Sequence, residues 1–481
     1  MVFSSIIFLF SFFPLILVLY YGVGNLLQKH IKSRTFILSY KNYVLLLGSL
    51  FFYAYGEPVY VFLIIGSILL NWFFGLQISN FQNQAKTTGS KLSPDKIFVF
   101  LSVLSNFGVL FFFKYLTFFL DCVNRILHTE LAVKSLPFPI GISFFTFQAI
   151  SYVIDIYRKK AVAQKNPLKV GLYISFFPQL IAGPIVRYET IANQIDGRIE
   201  TFDGFSKGCE RFMTGVIKKI LLADSLALFA DRIFNSFSVS TPISASMAWF
   251  GAICYTLQIY FDFSGYSDMA IGLGQMFGFH FEENFNYPYI ARSVTDFWHR
   301  WHISLSIWFR DYVYIPLGGN RVPAPRMYLN LFIVWLLTGI WHGAGLTFIL
   351  WGLMYFVVQA IEKLVGLGKK WKMPPVIGNL YTMLIVIVGW VLFRSPSIKS
   401  AILYLKNMFI LSAESISDPA PLFYFTDNWL LFLSAFLFVT PFIKIIQKNK
   451  MIYYILLSLT FLIALLYLLK GSYSPFIYFS F

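Results

Sequence analysis

Ten stretches of this chain run for about twenty residues with almost only apolar side chains, which limits its folding more than any motif does. They are Ser4–Gly22, Pro58–Leu76, Ile97–Leu120, Phe138–Ile156, Leu168–Val186, Ile243–Phe263, Tyr328–Ala360, Val376–Phe393, Trp429–Ile446 and Met451–Leu469. A hydrocarbon layer of roughly 30 Å is crossed by about 20 residues of helix, whose backbone groups satisfy one another where no water can. The expected fold class is therefore an all-α polytopic integral membrane protein with ten or more transmembrane helices. Tyr43–Tyr55, Phe212–Phe234, Tyr266–Phe279 and Ala401–Leu411 are shorter or amphipathic, and read as half-spans or interfacial helices.

With 58% hydrophobic and 12% charged residues, the chain cannot present a soluble globular surface, and no polar stretch is long enough for a separate soluble domain. Residues 1–481 read as a single membrane domain, with a core region at about 170–361 and a C-terminal helix and aromatic tail at 451–481. The net charge of +16 belongs beside anionic headgroups in cytoplasmic loops and calls for no nucleic acid. Lys29, Lys32, Arg34 and Lys41 form one such loop, and Arg158, Lys159, Lys160, Lys165 and Lys169 another. This places the N-terminus outside. The first segment has neither a basic leader nor a cleavage site, so it is expected to remain as a membrane helix. Cys122, Cys209 and Cys254 have no metal-ligand or redox spacing.

Tyr328–Ala360 would make about 50 Å of helix, too long for one crossing. A break is expected within Thr338–Gly345, where Gly339, Gly343 and Gly345 surround His342. Irregular backbone at membrane depth survives where protein or a cavity satisfies it, and an ionisable residue there is a functional candidate. The plainer reading is a histidine bonded between closely packed helices.

Upstream, Phe297, Trp301, Leu305 and Trp308 fall at helical spacing, and Asp296 pairs with Arg300 one turn on. This predicts a helix lying at the headgroup boundary, with His302 and Ser306 on one face lining a cavity. His299 reads as solvated. Arg310 reads equally as a substrate contact or a phospholipid anchor. Asp262 and Asp268 lie six residues apart across Ser264-Gly265, read as a helix break, where capping is the plainer role. Gln179 to Pro184 is an apolar stretch interrupted by glycine and proline, suited to a cavity wall or a kink. The chain carries no phosphate loop, no His-Glu-x-x-His and no Gly-x-Ser-x-Gly elbow.

In order, Gln179 to Pro184, Tyr260 to Asp268, Asp296 to Asn320 and Trp341 to Ala344 resemble the membrane-bound O-acyltransferase family. Its bacterial branch includes the alginate and peptidoglycan O-acetylation proteins and the teichoic-acid D-alanyl transfer protein. The resemblance implies an hourglass-like fold around a central tunnel, where a cytoplasmic donor and an extracytoplasmic acceptor meet one histidine. It implies His342 as the essential catalytic residue and His302 as the second active-site position. A neutral imidazole suits general-base attack of a hydroxyl on a thioester, with Trp301 and Trp341 shaping a dry tunnel and Ser306, Asp262, Asp268 and Arg310 as further substrate contacts. One departure is His299, where the family pattern carries arginine.

The resemblance further implies acetyl transfer at the bacterial inner membrane toward an alginate-like or peptidoglycan acceptor, with D-alanyl transfer to teichoic acid as the alternative. The donor would be acetyl-CoA or an acyl-carrier thioester, with no tightly bound cofactor and no metal. The expected partners are membrane lipid and a periplasmic or membrane-anchored, esterase-like acetyltransferase. Ser474 to Phe481 resembles the terminal aromatic motif of the small partner peptide in the D-alanyl system, making Tyr478 a candidate covalent acyl relay. An aromatic-belt residue is the plainer reading. A flippase of a lipid-linked saccharide is the competing class, although no pair of matching halves with broken helices is visible.

Overall fold

The computed structural model describes residues 1–88, 94–131, 137–238, 242–368, 371–410 and 415–471. The described secondary structure is helical, with two isolated β-bridges and no strand. Among the described residues seven helices, against the ten or more read from the sequence, are long and apolar enough to cross a bilayer: Phe8–His30, Arg34–Gly56, Val61–Gln84, Pro94–Leu127, Leu346–Val365, Pro375–Arg394 and Lys450–Leu469. An eighth crossing would join Ala420–Asp427 to Trp429–Phe438, which meet at 77°.

The chain divides into two compact units, residues 1–212 with 269–282 and residues 213–268 with 283–481. In the first unit, the Tyr43–Tyr55 stretch is no half-span: it belongs to the full-length helix Arg34–Gly56, begun by Ser33, whose hydroxyl accepts from Phe36 N–H at 3.3 Å. Phe138–Ile156 corresponds to Ile142–Tyr157, shorter than a normal span and almost entirely buried. Leu168–Val186 does not run through. Phe176 leaves the helix at φ −53° and ψ 113°, Pro178 sits at the start of a new short helix, and the Phe177 N–H donates to the Ser49 hydroxyl at 3.0 Å.

In the second unit, Tyr328–Ala360 breaks where expected, into Ala324–His342 and Leu346–Val365. The two helices fold back on each other over paired glycines. A Cβ on Gly352 would stand 2.5 Å from the Trp335 carbonyl oxygen, and one on Gly339 would stand 2.6 Å from that of Phe348. Only glycine allows backbone contact this close. The expected break at Ser264-Gly265 does not occur, because Ala245–Met276 is one helix of 32 residues. Gly265 instead admits a neighbouring backbone: its Cβ would lie 2.9 Å from the Gly215 carbonyl oxygen.

Candidate active site

The second unit collects its tryptophans around two histidines. Trp298, Trp301, Trp335, Trp351 and Trp390 are all buried in one apolar cluster with Tyr355 and Phe393. Trp298 meets Trp335 and Tyr355 with ring centroids 5.0 and 4.9 Å apart, and Trp301 meets Trp390 at 4.9 Å. Such edge and tilted contacts fix ring positions as well as exclude water.

His342 ends its helix inside this cluster, 8% exposed, with Trp351 and Phe393 at 5.0 and 5.2 Å. His302 is 1% exposed, with Phe263 at 4.6 Å edge-on. Trp341 neighbours both histidines, its ring centroid 6.1 Å from that of His302 and 4.9 Å from that of His342. The structure thus gathers four of the predicted residues, His302, His342, Trp301 and Trp341, into one unit and one aromatic environment.

The headgroup helix predicted over Phe297–Trp308 is not formed. The chain makes two short helices, Val294–Trp298 and Ile303–Phe309, with His302 between them in a left-handed conformation at φ 45°. Phe297, Trp298, Trp301, Leu305 and Trp308 are all buried, so the segment is an interior element and not a surface anchor. The left-handed turn separates His302 from the helical face of Ser306, whose hydroxyl donates to the Trp298 carbonyl at 3.3 Å. Asp296 and Arg300 do pair, at 2.8 Å, and His299 is exposed, as read from the sequence. Arg310 is exposed and pairs with its neighbour Asp311 at 2.7 Å.

Asn284, which no motif pointed to, sets the state of His302. Its Oδ1 accepts from the Ser304 backbone N–H at 3.2 Å and the Ser304 hydroxyl at 2.9 Å, while its Nδ2 donates to Ser267 at 3.0 Å. A backbone N–H can only donate, so the amide orientation is fixed. The same Oδ1 lies 3.1 Å from His302 Nδ1, which must therefore carry the proton. Among the described residues His302 Nε2, a buried lone pair, has no hydrogen-bond partner. Trp298 Nε1, Trp351 Nε1 and the Tyr355 hydroxyl are likewise buried without a partner. Unmet polar atoms in so apolar a cluster are the signature of a site for a polar guest.

Glu362, also missed, holds the first short helix in place: its carboxylate accepts from the N–H groups of Val294 and Thr295 and from the Thr295 hydroxyl at 2.6 to 2.9 Å. The two aspartates proved neither caps nor open ligands. Lys219 binds Asp262 and Asp224, each at 2.7 Å and nearly inaccessible, and Lys218 binds Asp268 at 2.7 Å. They are internal counter-ions within the unit, brought close by the Gly265 contact. A consecutive lysine pair in a helix opposite two carboxylates was the available signal. Tyr478 lies outside the described residues, and among those described no three metal-ligating side chains converge.

Comparison with known proteins gives a single pattern. Residues 8–394 match the model of the MBOAT, membrane-bound O-acyltransferase, family. The chain is 44% identical to the probable alginate O-acetylase AlgI of Pseudomonas syringae pv. tomato, over 83% of this chain and 74% of that protein. It is 33% identical to the peptidoglycan O-acetyltransferase of Helicobacter pylori over 100% of this chain and 98% of that protein. It is 29% identical to the teichoic acid D-alanyltransferase of Bacillus subtilis, over 52% of this chain and 65% of that protein.

Proposed function

Because the chain belongs to the membrane-bound O-acyltransferase family, and is a multi-pass acyltransferase, we propose that it moves acetyl groups across the bacterial inner membrane for O-acetylation of an exported or cell-wall polysaccharide. Two observations support an acetyl donor and a glycan acceptor: the relatives named for alginate and for peptidoglycan O-acetylation match over more than four fifths of the chain. The observation that carries the chemistry is the pair of buried histidines in contact with Trp341, one presenting an unpartnered Nε2.

In this reading His342 is the catalytic histidine and His302 the second group of the site. A neutral imidazole takes the proton of the acceptor hydroxyl as that oxygen attacks the thioester carbonyl. The C–S bond breaks, the proton passes to the departing thiolate, and ester and free thiol result. The surrounding tryptophans keep water from competing for the thioester. The donor is acetyl-CoA or an acyl-carrier thioester reaching the site from the cytoplasm, with no tightly bound cofactor. Trp301 and Trp341 wall the site, and an esterase-like acetyltransferase outside the membrane completes transfer to the polysaccharide, with Tyr478 as a relay to test afterwards.

The test is glycan O-acetyl content in a deletion strain complemented with wild type or His342→Ala at equal membrane abundance. Loss with the variant alone supports the reading. Equal acetylation overturns it in favour of a flippase or scaffold, and an ester-linked amino acid with a free amine in place of acetate would reassign the donor as D-alanyl.

A further inference from the structure

The first unit contains a cavity of about 980 Å³ that the acyl-transfer reading does not use. It lies where the chain reverses between the Phe8–His30 and Arg34–Gly56 helices. These run antiparallel, as shown by the Tyr40 hydroxyl donating to the Leu19 carbonyl at 3.0 Å and by the close approach of Gly48 to Ile16. Both helices are long and apolar enough to span a bilayer, which puts their shared turn at the depth of lipid headgroups.

The lining is strongly basic. Lys32, Arg34, Lys41 and Arg198 contribute four cations against the single carboxylate of Glu200. Two of these cations are committed to the wall. Arg198 is buried, donating to Asn42 Oδ1 at 2.6 Å and to the Tyr20 hydroxyl at 3.1 Å, with its guanidinium 4.5 Å from the Phe279 ring. Lys41 is held 3.3 Å from Glu200 and 5.0 Å over the Tyr20 ring. Lys32 and Arg34 are exposed at the rim, and among the described residues neither has an ion-pair partner. Beside them the wall is apolar, with Leu17, Ile37 and Phe205, and with Phe202 88% exposed. A basic rim, an apolar wall and headgroup depth together describe a receptor for an anionic amphiphile.

We propose that this cavity binds the phosphate of an anionic phospholipid, with Lys32 and Arg34 on the phosphate and the apolar wall along the first carbons of its acyl chains. The same phosphate chemistry occurs in a coenzyme A donor, and the position of the cavity at a span end favours the lipid.

The experiment uses the full chain in neutral detergent, titrated separately with dioctanoyl phosphatidylglycerol, dioctanoyl phosphatidylcholine and coenzyme A, with thermal stabilisation as the readout. Phosphatidylglycerol should stabilise the wild type and phosphatidylcholine should not. Lys32→Gln with Arg34→Gln, both surface changes, should leave the unliganded melting temperature unchanged and weaken phosphatidylglycerol binding by about tenfold or more, whereas Lys29→Gln, on the same helix end but outside the cavity, should not. Equal phosphatidylglycerol binding by the double variant, or equal weakening by Lys29→Gln, overturns the site. A variant-sensitive response to coenzyme A in place of the lipid overturns the lipid assignment and gives the phosphate to the donor.

Discussion

His302 Nδ1 stands 3.1 Å from Asn284 Oδ1, an oxygen already bound by the Ser304 N–H, and this fixes which ring nitrogen holds the proton. Asn284→Ala should therefore leave the histidine present but free to adopt either tautomer, lowering turnover by about tenfold or more with little change in KM. Acetyl transfer kinetics on purified enzyme check this; a pure KM effect would count against it.

His302→Gln should lower turnover about a hundredfold, since the amide retains a donor and an acceptor but no basic nitrogen. The same glycan acetyl measurement reads it, with membrane abundance as control. Near wild-type acetylation would leave His342 as the sole base.

Glu362→Ala strips three donors at the start of Val294–Trp298 of their acceptor and should cost about 1–3 kcal/mol. Because that helix leads into Trp301 and His302, activity should fall at temperatures well below the melting transition. Parallel melting and activity curves would show instead a uniform loss of stability.

Lys219→Ala leaves Asp224 and Asp262 buried without their cation and should destabilise by roughly 3–5 kcal/mol, seen as loss of folded protein in detergent. Lys207→Ala, whose partner Asp203 is 74% exposed, should cost no more than about 1 kcal/mol. A comparable loss for the two would contradict the buried network.

Gly352→Ala places a methyl group 2.5 Å from the Trp335 carbonyl oxygen, which as backbone cannot swing aside. The hairpin must open slightly, at about 1–3 kcal/mol, lowering the melting temperature and loosening the His342 pocket. An unchanged melting temperature would show that the helices can separate freely.

The sequence was most informative where local rules act alone. The membrane character followed from the apolar runs, though not the number or bounds of the spans, and the break after His342 followed from helix length and glycine density. Legibility failed where tertiary contacts overrode periodicity. Phe297 to Trp308 keeps a helical pattern without interruption, yet Asn284 and Glu362, distant in sequence, tie its backbone into two short helices. Ser264-Gly265 looked like a stop and instead marks the close approach of a second helix. Phe176 breaks a span that composition alone would carry to Val186. His302 and His342 stood out as ionisable residues in apolar surroundings, whereas Asn284 is an ordinary polar residue whose importance lies entirely in what it touches.

The left-handed backbone at His302 also bears on how this site can be lost by inheritance. Asparagine and aspartate tolerate that conformation, and each lies a single base change from a histidine codon. A buried carboxylate would be costly among these rings, so it is the neutral asparagine that keeps the turn and the surrounding fold while lacking the imidazole. On the role proposed for His302, a chain with asparagine here is a close genetic neighbour of the active form, one that keeps its fold in the membrane while transferring acyl groups far more slowly.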